Sequence, residues 1–284
     1  MIPRSFLFVP ADSDRKLARG PESGAAALIL DLEDSVALDR KPVAREMTAA
    51  WLRARPASPQ AWVRVNAFDT GLTMADLAAI VAARPDGIVL PKCESAADLA
   101  RLDAALSALE AREGLPDRSI PVMPLVTETP AAMFTLGGYA GAPRLAALTW
   151  GGEDLAAGLG ARTNRLPDGT WDEPYRLARA LTLMAAGAAG VPAIDTIYAD
   201  VRNLDGLRAE CEAGRRMGFA GRMAIHPAQI AVIEEAYAPT AEERAWAERV
   251  IAAFEAAPGA GVIALDGKMV DKPHLVQARR LLGK

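Results

Sequence analysis

Acidic and basic side chains stand at the ends of successive apolar runs in this chain of 284 residues. Asp31, Glu33 and Asp34 close ALILDLE, Arg64 and Asn66 close AWVRVN, and Lys92 closes GIVLPK. Glu128 ends PVMPLVTE, Glu153 and Asp154 follow LAALTWG, and His226 ends GRMAIH. Charges within mostly apolar segments are costly unless they pair or bind a metal. Mutual salt bridges account for any one of them taken alone; their recurrence at run after run favours a site. With only Cys93, Cys211, His226 and His274 available, neither a disulfide framework nor a histidine-rich zinc centre can be built. A metal would sit on carboxylates, which select a hard ion such as Mg²⁺. Mg²⁺ takes one or two protein carboxylates and leaves its other positions to water and substrate. Glu128 and Asp154 suit that arrangement, and Glu153 is a rival that spacing alone does not separate from its neighbour.

Other residues at the same ends extend the chemistry. Arg64 offers a planar donor fork that matches a carboxylate, and an arginine near a divalent ion makes a place for a 2-oxo acid. Lys92 adds positive charge or pairs with Glu33, and the ion pair is the simpler reading. Gly151 and Gly152 of WGGED let the backbone pass close to a ligand, and equally suit a plain strand-to-helix turn. His226 reads as a satisfied rim histidine, and the two thiols, with no paired cysteine or histidine beside them, as inert.

The elements that must position these groups are eight short apolar runs alternating with helical patterns. The runs begin at Ser5, Ala27, Ala61, Gly87, Pro121, Leu145, Pro192 and Gly221. They are nearly continuously apolar, as parallel strands buried on both faces are. Between them the periodicity predicts helices over 95–112, capped by Ser95 and ended by Gly114, and over 76–83, 175–189 and 204–217. No G-x-G-x-x-G follows the first run, where ADSDRK stands instead, which argues against an open dinucleotide-binding sheet. The fold expected is α/β, a (β/α)₈ TIM barrel over residues 1–238 with a C-terminal helical arm or lid over 239–284. In such a barrel reactive groups gather at the C-terminal ends of the strands, where the charges above fall.

A net charge of −4 with no basic stripe argues against a nucleic-acid partner, and no run has transmembrane length and apolarity. The N-terminus lacks a signal-peptide pattern, so a cytoplasmic location is expected.

Taken in order, RSFLFVPADSDRKL, ALILDLEDSV with Lys41 and Arg45 after it, WVRVN, GIVLPK, VTETPAA, WGGEDLAAGLGA, IDTIYADVRNLDGL, GFAGRMAIHPAQI and ALDGKMVDKPHLVQAR span essentially the whole chain. In this it resembles the citrate lyase β-subunit-like proteins, related to malyl-CoA lyases and to the HpcH/HpaI aldolases. The resemblance implies Mg²⁺-dependent cleavage of a citryl-, citramalyl- or malyl-type thioester to an acetyl or acyl thioester and a 2-oxo acid. By the same resemblance Glu128 and Asp154 are the metal ligands, which chooses Asp154 over Glu153. Arg64 would bind the oxo acid and offset developing charge, Glu33 and Gly152 would lie at the substrate, and Asp271 would be an acid/base on a lid reaching in from a neighbouring subunit. Arg4, Arg15, Lys16 and Arg19 are expected to meet a thioester carrier, either CoA phosphates through Arg4 and Lys16 or an acidic acyl-carrier protein. A homo-oligomer, a trimer, is implied.

One departure bears on the substrate. Pyruvate-type HpcH/HpaI aldolases use a histidine base near the barrel mouth, where this chain has DLEDSV. That disfavours an aldolase acting on free oxo acids and aldehydes, which stays as an alternative. A weakly active subunit serving mainly partner binding in a multienzyme lyase is another.

Overall fold

A computed structural model of the chain describes residues 2–283. From the N-terminus β1 (Ser5–Pro10), α1 (Asp14–Arg19), β2 (Ala27–Asp31), α2 (Lys41–Ala54), β3 (Gln60–Arg64), α3 (Thr73–Ile80), β4 (Gly87–Leu90) and α4 (Ala96–Arg112) alternate. Then come β5 (Val122–Pro124), β6 (Leu148–Thr149), α5 (Glu153–Leu159), α6 (Glu173–Ala189), β7 (Ala193–Asp195), α7 (Leu204–Met217), β8 (Gly221–Ala224) and α8 (Ile230–Tyr237). The strands are parallel and ordered β5-β4-β3-β2-β1-β8-β7-β6. The join between β5 and β6 is made by isolated bridges, Val122 with Leu145 and Leu125 with Thr149, so the sheet curls into a nearly closed (β/α)₈ barrel.

Strand alternation divides the apolar residues between two cores. Phe6, Ile29, Trp62, Val89, Met123, Ile194 and Met223 form the inner cluster. Leu7, Leu28, Leu30, Val63, Ile88, Leu90 and Leu148 belong to the larger cluster that also takes in the helices. The inner space is tight: the Trp62 ring packs edge-on against Phe6 at 5.8 Å, and a Cβ at Gly87 would run into that indole.

Helix boundaries follow local chemistry. Ser95 caps α4 in a capping box with Asp98, as its position suggested. α6 begins two residues before the apolar pattern does, because Asp172 caps it and Pro174 is tolerated in a first turn. α3 begins at Thr73, where the Thr73 hydroxyl donates to Asn66 O, and ends at Ile80 before a tighter turn over Val81–Ala83.

The chain divides into two compact units, one of Ile2–Tyr237 and one from Ala238 onward. The second contains α9 (Ala241–Ala256), an antiparallel hairpin of β9 (Val262–Leu265) and β10 (Lys268–Asp271), and α10 (Lys272–Leu282). Val250, Ile251, Phe254, Val270 and Ala278 make its small core. The hairpin departs from the purely helical arm expected: its strands are only four residues long, and GAGVIALDGK carries two further glycines besides Gly267, which at φ +73 makes the turn. No helix among the described residues is long and apolar enough to cross a membrane.

Candidate active site

Charged side chains from five successive strand ends, β2 to β6, converge at one end of the barrel. Asp31 and Arg64 stand opposite each other in the β2–β3 register. Arg64 Nε and Nη2 donate to Asp31 Oδ1 and Oδ2 at 2.7 and 2.8 Å, and the guanidinium lies over the Phe8 ring at 4.8 Å. The side-on donor edge expected to meet a substrate is thus occupied by the protein itself. Nη1 remains, 2.8 Å from Glu33 Oε2 without hydrogen-bond alignment. Burial works to raise the Asp31 carboxyl, yet the Arg64 charge and hydrogen bonds hold it below its ordinary range.

The loop after β2 is fixed from behind. Lys41 Nζ donates to Leu32 O and Glu33 O, each at 2.7 Å, and Asn66 Nδ2 donates to Leu32 O at 2.9 Å. Asp76 accepts from Asn66 N and Nδ2 and from Arg45 Nε, which ties the β3 end into the same frame. Glu33 is consequently held in a buried place, where desolvation raises its carboxyl against the lowering influence of Arg64 and Lys92.

Lys92 is the residue that sequence reasoning undervalued. It ends the β4 run at φ +49, a left-handed conformation costly for a side chain other than glycine. That geometry points its backbone N–H at Glu128 Oε2, 2.6 Å away. Its ammonium lies 2.6 Å from Glu33 Oε1, 3.5 Å from Asp154 Oδ1 and 3.9 Å from Asp34 Oδ2. The expected ion pair with Glu33 is present, but it is one arm of a wider contact set.

Glu128 follows β5 and is 4% exposed. Burial first, then the charges of Glu33 and Asp154, push its carboxyl up to about 8. A Cβ at Gly151 would come within 2.8 Å of Glu128 Cγ, so only glycine there leaves room for this carboxylate. The Thr127 hydroxyl, next in sequence, donates to Gly151 O and accepts from Gly151 N, both at 3.1 Å. It couples the β5 end to the loop after β6. In that loop Asp154 is within reach of Lys92, whereas Glu153 is exposed and its charge acts on the Tyr175 phenol. Gly152 is required by packing, since a Cβ there would meet the Trp171 ring at 2.9 Å.

The remaining strand ends carry structure. Asp195, the last residue of β7, accepts from Trp150 Nε1 at 2.8 Å and from Arg179, and pairs with the buried Arg222. His226 Nδ1 accepts from Ala228 N in a capping turn. Burial pushes the Cys93 and Cys211 thiols up to about 12 and about 11, which keeps them protonated and unreactive.

Arg4 requires a correction. It precedes β1 and its carbonyl accepts from Arg222 N at the start of β8, so it lies at the opposite end of the barrel from Glu128 and Asp154. Its guanidinium pairs with Glu234 at 3.7 Å. A residue before a strand cannot reach the mouth beyond that strand. Lys16 is exposed on α1, which follows β1. Asp271 belongs to the second unit, where it precedes α10 and its Oδ1 is 2.5 Å from His274 Nδ1.

Asp31, Glu33, Asp34, Glu128 and Asp154 bring five carboxyl groups to the three cations Lys41, Arg64 and Lys92, so acidic groups outnumber basic ones at this mouth, as a cation site requires. Among the described residues no three carboxylates, imidazoles or thiols form a ready cage. The donor set instead fits an ion such as Mg²⁺ that needs only one or two protein oxygens.

The chain belongs to the HpcH/HpaI aldolase/citrate lyase family, whose pattern matches residues 4–227. Residues 176–284 also match the C–C bond lyases of the TIM-barrel fold. Among similar proteins, (3S)-malyl-CoA thioesterase of Cereibacter sphaeroides is 39% identical over 99% of this chain and 94% of its own length. The citrate lyase β subunit of Escherichia coli is 37% identical over 99% and 92%. The CitE protein of Mycobacterium tuberculosis, solved with magnesium, acetoacetate and coenzyme A, superposes with a TM-score of 0.76 at 34% identity, covering 99% of this chain and 97% of that one.

Proposed function

We propose that the chain is a Mg²⁺-dependent carbon–carbon lyase that splits a citryl-, citramalyl- or malyl-type thioester into an acetyl or acyl thioester and a 2-oxo acid. The observation that carries the reading is Glu128, a buried carboxylate with a single N–H donor, set beside Asp154 in a mouth short of positive charge. Glu128 and Asp154 would hold the ion. When bound, Mg²⁺ supplies Lewis-acid polarisation of the oxygens of the substrate. Arg64, immobilised by Asp31, offsets the charge that develops as the thioester enolate leaves. Glu33 and the Gly152 backbone border the oxo-acid portion. Asp271, on a lid reaching in from a neighbouring subunit, would give a proton to the enolate carbon on cleavage and remove it in the condensation direction.

Magnesium with oxaloacetate in the Mycobacterium tuberculosis citrate lyase β subunit, 33% identical, supports the oxo-acid half of this reading. Coenzyme A beside its CitE protein supports the carrier half. Lys16 remains a basic contact for that carrier, with acyl-carrier protein as the other form. A cytoplasmic homotrimer completes the proposal, and light scattering of the purified chain tests the oligomer.

A second reading keeps the substrate and changes the bond: hydrolysis of a malyl thioester, favoured by the 39% identity to the thioesterases. Product analysis separates the two. Malyl-CoA incubated with the purified chain and Mg²⁺ gives glyoxylate and acetyl-CoA under the lyase reading, malate and free CoA under the hydrolase one. Cleavage of free 4-hydroxy-2-oxo acids without any thioester would establish the aldolase instead. Lyase activity that Asp271→Asn abolishes would exclude a merely partner-binding subunit.

A further inference from the structure

Lys92 contacts four of the five carboxylates at the mouth. Its main-chain N–H serves Glu128, and its ammonium serves Glu33 and Asp154 with Asp34 at the margin. Asp31 alone of the five carboxylates lies outside its reach and is held by Arg64, which also approaches Glu33 at 2.8 Å and Asp34 at 4.0 Å. Among the described residues Lys92 is also the one cation within 4 Å of Asp154. An ammonium among these oxygens does part of what a divalent ion does there, neutralising and gathering them.

We propose that Lys92 is the resident counter-cation of the metal site, and that it makes metal binding depend on the arrival of the anionic substrate. The inference rests on the assignment of Glu128 and Asp154 as metal ligands. An ion entering between them meets the positive charge of Lys92 a few ångströms away, so the ion alone is weakly held. A 2-oxo acid brings a carboxylate that compensates the added charge, and the ion is then held more firmly. Linkage makes the effect mutual: the ion strengthens oxo-acid binding by the same factor. The positive φ at residue 92 fits this double duty. It keeps the backbone donor on Glu128 whichever way the long side chain turns.

The test is a Mg²⁺ titration followed by calorimetry and by the midpoint of thermal unfolding, with and without pyruvate as the oxo-acid probe. Wild type, Lys92→Met, Lys92→Gln and Lys92→Arg are compared. Removing the charge in Lys92→Met should tighten Mg²⁺ binding without pyruvate by about tenfold or more, the scale of a nearby like charge. The enhancement by pyruvate should shrink correspondingly, and Lys92→Arg should retain both wild-type values. Should Lys92→Met fold poorly, Lys92→Gln carries the same expectation with a hydrogen-bonding side chain in place. Unchanged or weaker Mg²⁺ affinity in the neutral variants, or an undiminished pyruvate effect, overturns the proposal while leaving the metal assignment standing. Wild-type Mg²⁺ affinity in Glu128→Gln would instead remove the metal assignment and this inference with it.

Discussion

Asp31 and Arg64, paired opposite each other at the ends of β2 and β3, are joined by two parallel N–H···O bonds of 2.7 and 2.8 Å. The carboxylate fixes the plane of the guanidinium before any substrate arrives, with Phe8 supporting one face. Arg64→Lys loses that fork and should lower kcat by on the order of 10²–10³. Asp31→Ala strands a buried guanidinium and should cost about 3 kcal/mol of stability or more in urea unfolding. Wild-type turnover in Arg64→Lys would show that geometry is not what this residue contributes.

Metal uptake should release a proton. Glu128 lies above its unfolded value of 4.5, at about 8, so the stability it lends the metal-free protein is complete below 4.5 and declines as pH rises to about 8. Mg²⁺ requires the carboxylate, so its affinity should climb over the same interval, by roughly tenfold per pH unit. Calorimetry in buffers of different ionisation heat reads the proton directly. Thermal midpoints in EDTA and in Mg²⁺ should diverge from pH 6 to pH 8.5 in wild type and stay parallel in Glu128→Gln.

Thr127 touches no substrate in the proposed reaction, yet its hydroxyl spans from the Glu128 strand to Gly151. Thr127→Val preserves shape and removes both bonds. Mg²⁺ affinity should fall about 10–100-fold, with recovery in Thr127→Ser. Equal affinities in all three proteins would reduce Thr127 to a packing residue.

Asp195 governs acid tolerance. Burial raises its carboxyl, but Arg222 and Arg179 more than reverse this, so the folded value lies below 3.8. Its contribution is present above that pH and lost as pH falls through the folded value. Asp195→Asn should cost about 3–5 kcal/mol at neutral pH and flatten the acid limb of the stability profile. Circular dichroism against urea at pH 7 and pH 3.5 measures both.

Most of the barrel was legible because its strands are buried on both faces and so read as apolar runs, and because a charge in such a run is conspicuous. Glu128, Asp154, Arg64 and Glu33 were singled out for that reason, and they lie at one end of the barrel. Other relations depended on distance in three dimensions. Nothing local marks Lys92 as left-handed, or Asp31 as the partner of the Arg64 fork, and Thr127 reads as one more β-branched strand residue. Arg4 is near Lys16 in sequence, but the strand between them carries the two to opposite ends of the barrel, so proximity along the chain does not make them neighbours.

The β5–β6 join, made of isolated bridges where the other neighbours form ladders, lies between the two strands that lead to Glu128 and Asp154. An ion held by both carboxylates would rivet the barrel across its loosest seam. Amide hydrogens there, such as those of Val126 and Ala146, should therefore exchange with solvent far more slowly once Mg²⁺ is added, while those between β1 and β2 scarcely change. Catalytic readiness and closure of the cylinder would then be one event, recorded by the backbone before any product forms.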